Sequence, residues 1–196
     1  MMRMAFQWMK LRAMSLLVLG RNDAALELFN QMAVRWPDDT YPLASRAHLL
    51  AQKQQTDAAL VDSRRLVALR PQHAPTWFNH GFMLEAAGRL DDALLAFGRA
   101  TTLDGQLDRA WYGQGLVLIR LKRYDEAVLA LKRTTELQPM SPYGWYQLAR
   151  VHVDRHQPDE AVKIIRHLKG FEPKVAAQLE RETGLLTIAT TNDEGQ

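Results

Sequence analysis

The chain of 196 residues is 47% apolar and 24% charged, and its five Trp, six Phe and five Tyr supply the bulk of a core, which excludes wholesale disorder. It has no Cys, so disulfides, thiolate metal sites, a cysteine nucleophile and a lipidated N-terminal cysteine are all excluded. The net charge of +3 arises from 25 Lys and Arg interspersed with 22 Asp and Glu, a surplus too small and too evenly mixed to indicate nucleic acid.

The N-terminal stretch is the one place where charge segregates. Arg3, Lys10, Arg12 and Arg21 stand there before the first acid, Asp23. The apolar run 13–20 behind them resembles a secretory signal, but it is short, and Arg21, Asn22 and Asp23 follow where a small-x-small cleavage site belongs. No run approaches the roughly 18 uninterrupted apolar residues of a membrane span. The expected location is therefore cytoplasmic, with the basic, Met-rich start a candidate for peripheral contact with an anionic membrane or a membrane protein. Residues 1–5 also lack the polar face of an end cap, so a partner or another copy of the chain is a candidate cover.

From there onward a period of 34 governs the sequence. Trp77, Trp111 and Trp145 keep that spacing, as do Ala25, Ala59, Ala93, Ala127 and Ala161. Pro37, Pro71, Pro139 and Pro173 fall on it too, with Gly105 in the vacant slot, and Gly81 is repeated by Gly115. The units are 6–39, 40–73, 74–107, 108–141 and 142–175. The first has Met9 at the Trp slot, and the second has Leu43 there and Ser63 in place of a large apolar residue. The third carries Trp77, Gly81, Leu84, Gly88, Ala93 and Phe97; the fourth Trp111, Gly115, Leu118, Tyr124, Ala127, Leu131 and Pro139. The fifth keeps Trp145, Leu148, Ala161 and Pro173, and carries His152.

Inside each unit apolar residues recur at helical spacing, with one break near the middle and one at the Pro slot, which predicts two helices per unit. Gly20 and Gly88 sit at the middle break, where a helix end favours a left-handed residue. Acids open the second helix, as in Asp91-Asp92, Asp125-Glu126 and Asp159-Glu160, and Pro158 suits a first helical turn. Small residues such as Ala93, Ala127, Gly81 and Gly115 allow paired helices to approach closely. Residues 174–184 predict one further helix, with Leu179 on its apolar side and Lys174, Gln178, Glu180, Arg181 and Glu182 supplying polar and charged groups, as a solubilising end cap requires. Residues 1–184 are thus expected to form a single domain. Residues 185–196 follow as a tail whose start, 185–189, is apolar and β-prone and whose end is expected to be mobile.

The Trp, Gly, Ala, Phe and Pro slots at this period resemble the tetratricopeptide repeat family over nearly the whole chain. The resemblance implies an all-α fold, a right-handed superhelical α-solenoid of antiparallel helix pairs with a C-terminal capping helix. It also implies a non-enzymatic protein-binding scaffold or adaptor, since the first helix of each pair in that family lines a concave face that holds peptides.

Chemistry is sparse beside this. The acidic doublets recur in register at helix starts, so helix capping explains them better than catalysis. His152 and His156 have the spacing to hold a metal from one helix side, but His152 fills a slot where the family buries an aromatic, which favours a packed histidine. Gly113-Gln114-Gly115 imitates the start of a dinucleotide loop inside a predicted helix, without the strand that motif needs. No nucleophile–base spacing stands out, so no enzyme, metal or cofactor is expected. Nor is nucleic acid: Arg64-Arg65 and Lys122-Arg123 are isolated pairs, and the slots where helical repeats read bases are not uniformly polar.

The inward slots of the first helices are Gln7, Lys10, Met14 and Leu17, then Tyr41, Ala44, His48 and Gln52, then Phe78, Phe82 and Glu85. The fourth and fifth units add Arg109, Tyr112, Leu116 and Arg120, then Tyr143, Tyr146 and Arg150. Phe78, Phe82, Tyr112, Tyr143 and Tyr146 form an aromatic floor edged by Arg109, Arg120 and Arg150. Tyr and Arg dominate binding hot spots, and Arg grips carboxylates bidentately. The expected ligand is a partly apolar, acid-bearing segment of another protein. Repeat packing alone also accounts for Tyr112 and Tyr146, whose slot is often Tyr in such repeats. The carboxylate clamp of co-chaperones in this family finds Asn79 and Arg109 at two of its slots but Ala44, His48 and Gly113 at the others, so that ligand is not expected. The alternative is a permanent accessory subunit of a larger complex, held through the solenoid ends or the convex face.

Overall fold

A computed structural model describes residues 2–185. Within them are eleven α-helices and no strand. They fall into two compact units divided after Asp104. The first holds α1 (Met2–Val18), α2 (Asn22–Arg35), α3 (Thr40–Gln52), α4 (Thr56–Leu69), α5 (Ala74–Ala86) and α6 (Leu90–Leu103). The second holds α7 (Asp108–Arg120), α8 (Tyr124–Leu137), α9 (Pro142–Asp154), α10 (Pro158–Lys169) and α11 (Pro173–Thr183). In each unit every helix packs on its neighbours in the chain, and α9 additionally meets α7 and α11. This is the α-solenoid architecture of stacked antiparallel helix pairs, with α11 as the terminal helix. The tail beyond Leu185, including most of the apolar run 185–189, lies outside the described residues.

The period in the sequence has visible physical causes. The indole N–H of Trp77 donates to the Pro71 carbonyl at 2.9 Å, that of Trp111 to Gly105 at 3.1 Å and that of Trp145 to Pro139 at 2.8 Å. Each bond spans the loop into the next helix pair, which accounts for the phase of the Trp slot. The small residues keep phase for packing. A Cβ on Gly81 would stand 2.8 Å from the Phe97 ring, and one on Gly115 would stand 2.8 Å from Leu131 Cδ2. Ala25, Ala59, Ala93, Ala127 and Ala161 are all fully buried.

A third period is structural and only partly written in residue type. Gly20, Gln54, Gly88, Lys122 and His156 all have positive φ, between 57° and 75°, at the turn inside each helix pair. At Gly20 and Gly88 an added Cβ would meet nothing within 4 Å, so backbone conformation alone favours glycine there. Gln54, Lys122 and His156 adopt the same conformation despite a Cβ, which costs about 1–2 kcal/mol each. Lys122→Gly and His156→Gly are therefore expected to raise stability by roughly 0.5 kcal/mol each, after glycine's greater freedom in the unfolded chain is subtracted. Thermal melts of the two variants check this, and a lowered Tm would contradict it.

Two details differ from the sequence reading. The acidic doublets do not cap: the residues at the cap positions of α6 and α8 are Arg89 and Arg123, with no side-chain cap bond. The acids lie in the first turn, where they offset the exposed amides, and Arg89 pairs with Asp92 and Arg123 with Glu126. His156 lies in a turn past the end of α9, so it does not share a helix side with His152. His152 is buried, and its Nδ1 donates to Gln157 Oε1 at 2.9 Å.

Candidate functional site

Both units carry a depression on the side formed by the first helices of their pairs. In the first unit it encloses about 430 Å³ among α3, α4 and α5, with Tyr41, His48, Asn79 and Phe82 on its walls. Phe82 is 58% exposed and presents its ring to this space. Phe78, one turn earlier, is half-buried instead and packs on the Phe97 ring at 5.9 Å between centroids, so it serves the core as well as the surface. The polar groups around the depression are tied to their neighbours. The Gln52 amide lies 3.0 Å from His48 Nε2, and His73 Nδ1 lies 2.8 Å from Thr76 Oγ1. Burial, and then the nearby Arg70 charge, push His73 below the usual imidazole range.

The second unit gathers the tyrosines. Tyr112 from α7 and Tyr143 and Tyr146 from α9 line a depression of about 290 Å³, closed on one side by Val175 and Gln178 of α11. Tyr143 is 70% exposed, as an accessible aromatic contact requires. Arg109 and Arg120 lie exposed on α7, eleven residues apart and on the same helix face as Tyr112 and Leu116.

Arg150 is engaged within the chain. Tyr146 donates its hydroxyl to Glu182 Oε2 at 2.5 Å, Arg150 Nη1 donates to the Tyr146 oxygen at 3.3 Å, and Arg150 lies 3.8 Å from the Glu182 carboxylate. Gln178 donates to the other Glu182 oxygen at 2.8 Å. The Tyr146 bond, and then the Gln178 bond, hold the Glu182 carboxyl below its usual range. This arrangement seats a carboxylate on a tyrosine hydroxyl and a guanidinium, the chemistry by which Arg and Tyr recognise acidic groups.

Of the residues expected at the site, the structure brings Tyr112, Tyr143 and Tyr146 to one depression and sets Arg150 against Tyr146. It places Phe82 on the separate depression of the first unit. Sequence reasoning missed Val175, Gln178 and Glu182, which it had assigned to a solubilising cap. The signal available was the i, i+4 spacing of Gln178 and Glu182, which puts both on one side of α11.

Residues 83–144 match the sequence model of a tetratricopeptide repeat family. No curated protein is similar enough in sequence to match the chain. Among solved structures, MamA (residues 41 to the end) from Desulfovibrio magneticus RS-1 superposes with a TM-score of 0.77 at 20% identity, covering 90% of this chain and 95% of that one. TTC0263, a thermophilic tetratricopeptide repeat protein of Thermus thermophilus, gives a TM-score of 0.63 at 23% identity over 92% of this chain and 99% of its own. YrrB, described as a tetratricopeptide repeat protein with an unusual peptide-binding site, gives 0.74 at 15% identity over 86% of this chain and 88% of its own. The described residues thus share the fold of these solved structures, and residues 83–144 carry tetratricopeptide repeat sequence.

Proposed function

We propose that the protein is a non-enzymatic, cytoplasmic adaptor that binds a partly apolar, acid-bearing segment of another protein, and that its five repeats, 6–175, act as the binding array. The observation that carries this reading is the Arg150–Tyr146–Glu182 arrangement beside Tyr112 and Tyr143. The tyrosines offer large, stiff contact area at low entropic cost, and Arg150 and Tyr146 already hold a carboxylate. A partner's acidic side chain would exchange with Glu182 while its apolar residues cover the rings. Phe82 gives the first unit an aromatic contact of its own, and Arg109 and Arg120 extend the basic character along α7. The fold is one used for protein–protein interaction, and YrrB, of the same fold, carries a peptide-binding site.

The experiment is capture from native lysate with wild type and with Tyr112→Ala/Arg150→Glu, matched for folding by circular dichroism. The double variant is expected to lose the partner, with affinity down about tenfold or more, as hot-spot aromatic and arginine losses give. Equal capture by both proteins would overturn the assignment and shift the interface to the ends or the outer face. There Val61 of α4 and Leu95 of α6 stand 61% and 73% exposed, and the accessory-subunit reading would then hold.

A further inference from the structure

The first helix is apolar on two sides. Phe6, Met9, Ala13, Leu16 and Leu17 face inward and pack in the core of the first unit. The opposite side carries Met4, Trp8, Leu11 and Val18, whose spacing sets them in one stripe along the helix. They are 64%, 74%, 58% and 88% exposed, and Leu19, 71% exposed, extends the stripe past the helix end. At about 100° per residue, Arg3 falls along one border of this stripe and Arg12 along the other, and both are exposed. Arg21 follows just beyond, and no acid occurs between Met2 and Asn22. Monomeric proteins rarely leave such an apolar patch in water without a use for it.

We propose that this outer side of α1 is a docking surface for an anionic lipid membrane. The stripe enters the boundary between headgroups and acyl chains with α1 lying in the membrane plane, and the bordering arginines reach the lipid phosphates. No helix among the described residues is long and apolar enough to cross a membrane, so the contact is peripheral. Charge selects this occupant over a second copy of the chain. Two α1 helices paired antiparallel about Leu11 would set Arg12 of one copy beside Arg12 of the other, with no acid on either helix to offset them. An anionic surface offsets all of them at once. The proposal uses a different face from the tyrosine depression and does not depend on it.

The test is co-sedimentation of the full chain with vesicles of phosphatidylcholine alone or with about a third phosphatidylserine. Binding is expected only to the anionic vesicles and to weaken as salt shortens the Debye length. Trp8→Ser/Leu11→Ser is expected to lower partitioning about tenfold or more. Arg3→Gln and Arg12→Gln are each expected to lower it about fivefold. All four side chains are exposed, and a melt matching wild type confirms that folding is retained. Absence of binding to anionic vesicles, or binding unchanged in Trp8→Ser/Leu11→Ser, overturns the proposal. A concentration-dependent dimer that this double variant abolishes, without vesicle binding, overturns it in favour of a second copy.

Discussion

Arg46→Ala is expected to destabilise the protein by about 3–5 kcal/mol, the largest effect of any single substitution considered. Asp62 on α4 is 2% exposed, and its two oxygens accept from Arg46 Nε at 2.6 Å and Nη2 at 2.5 Å in a bidentate pair. Arg46 Nη1 also reaches Asn30 Oδ1 at 3.3 Å, so one guanidinium on α3 joins side chains of α2 and α4. Removing it leaves a carboxylate without its partner, and the desolvation that the pair had offset is then uncompensated. The pair itself is a weak source of net stability, because two charges were taken from water to form it. Arg46→Met/Asp62→Leu is therefore expected to recover most of the loss. Urea denaturation of the three proteins checks both statements. A loss below about 1 kcal/mol for Arg46→Ala would mean that the orphaned carboxylate finds water or a proton.

Gly81→Val is expected to cost about 3 kcal/mol by overpacking, and Gly81→Ala about 1 kcal/mol. In an ordinary helix interior Gly→Ala is a gain, since alanine loses less backbone freedom on folding. Here the new Cβ would lie 2.8 and 2.9 Å from two atoms of the Phe97 ring, and that ring is fully buried. A flat ring held on all sides has no rotamer to turn into, so the strain passes to the backbones of α5 and α6. Phe97→Leu placed behind Gly81→Ala is expected to restore part of the loss by vacating the contact. The same juxtaposition recurs at Gly115 and Leu131, where the branched aliphatic side chain can turn more readily and the cost of alanine is smaller. Thermal melts of the Gly81 and Gly115 variants in parallel test the ranking. A stabilised Gly81→Ala would show that the helices part without penalty.

The helices and their pairing were legible because residue slots repeat in phase, and two of them have a visible local cause: an indole bond at Trp77, Trp111 and Trp145, and a close helix approach at Gly81 and Gly115. The left-handed turns were read only where glycine marks them. Gln54, Lys122 and His156 could have been reached by adding the period to Gly20 and Gly88, because the backbone conformation recurs even where the residue type does not. The Arg46–Asp62 pair was not legible. Its slots hold His80 and Ala96 in the next repeat, so nothing recurrent pointed to a partnership. His80 instead lies 2.8 Å from the buried Ser63, the residue that had read only as a degenerate apolar slot. Burial, and then the charges of Arg64 and Arg89, lower that imidazole's affinity for a proton. At the candidate site the tyrosines were legible because they sit on inward positions of α7 and α9. The contribution of α11 was hidden, because a glutamate that reaches a neighbouring helix has the same letter as one that only solubilises a surface.

The three indole bonds give the molecule built-in strain gauges. Each fastens a single nitrogen-bound proton to a carbonyl six residues away across one loop. Its exchange with deuterium therefore follows the opening of that loop rather than global unfolding. In an array where stability is a sum of neighbour contacts, three such protons spread along the chain time the loosening of separate segments within one molecule.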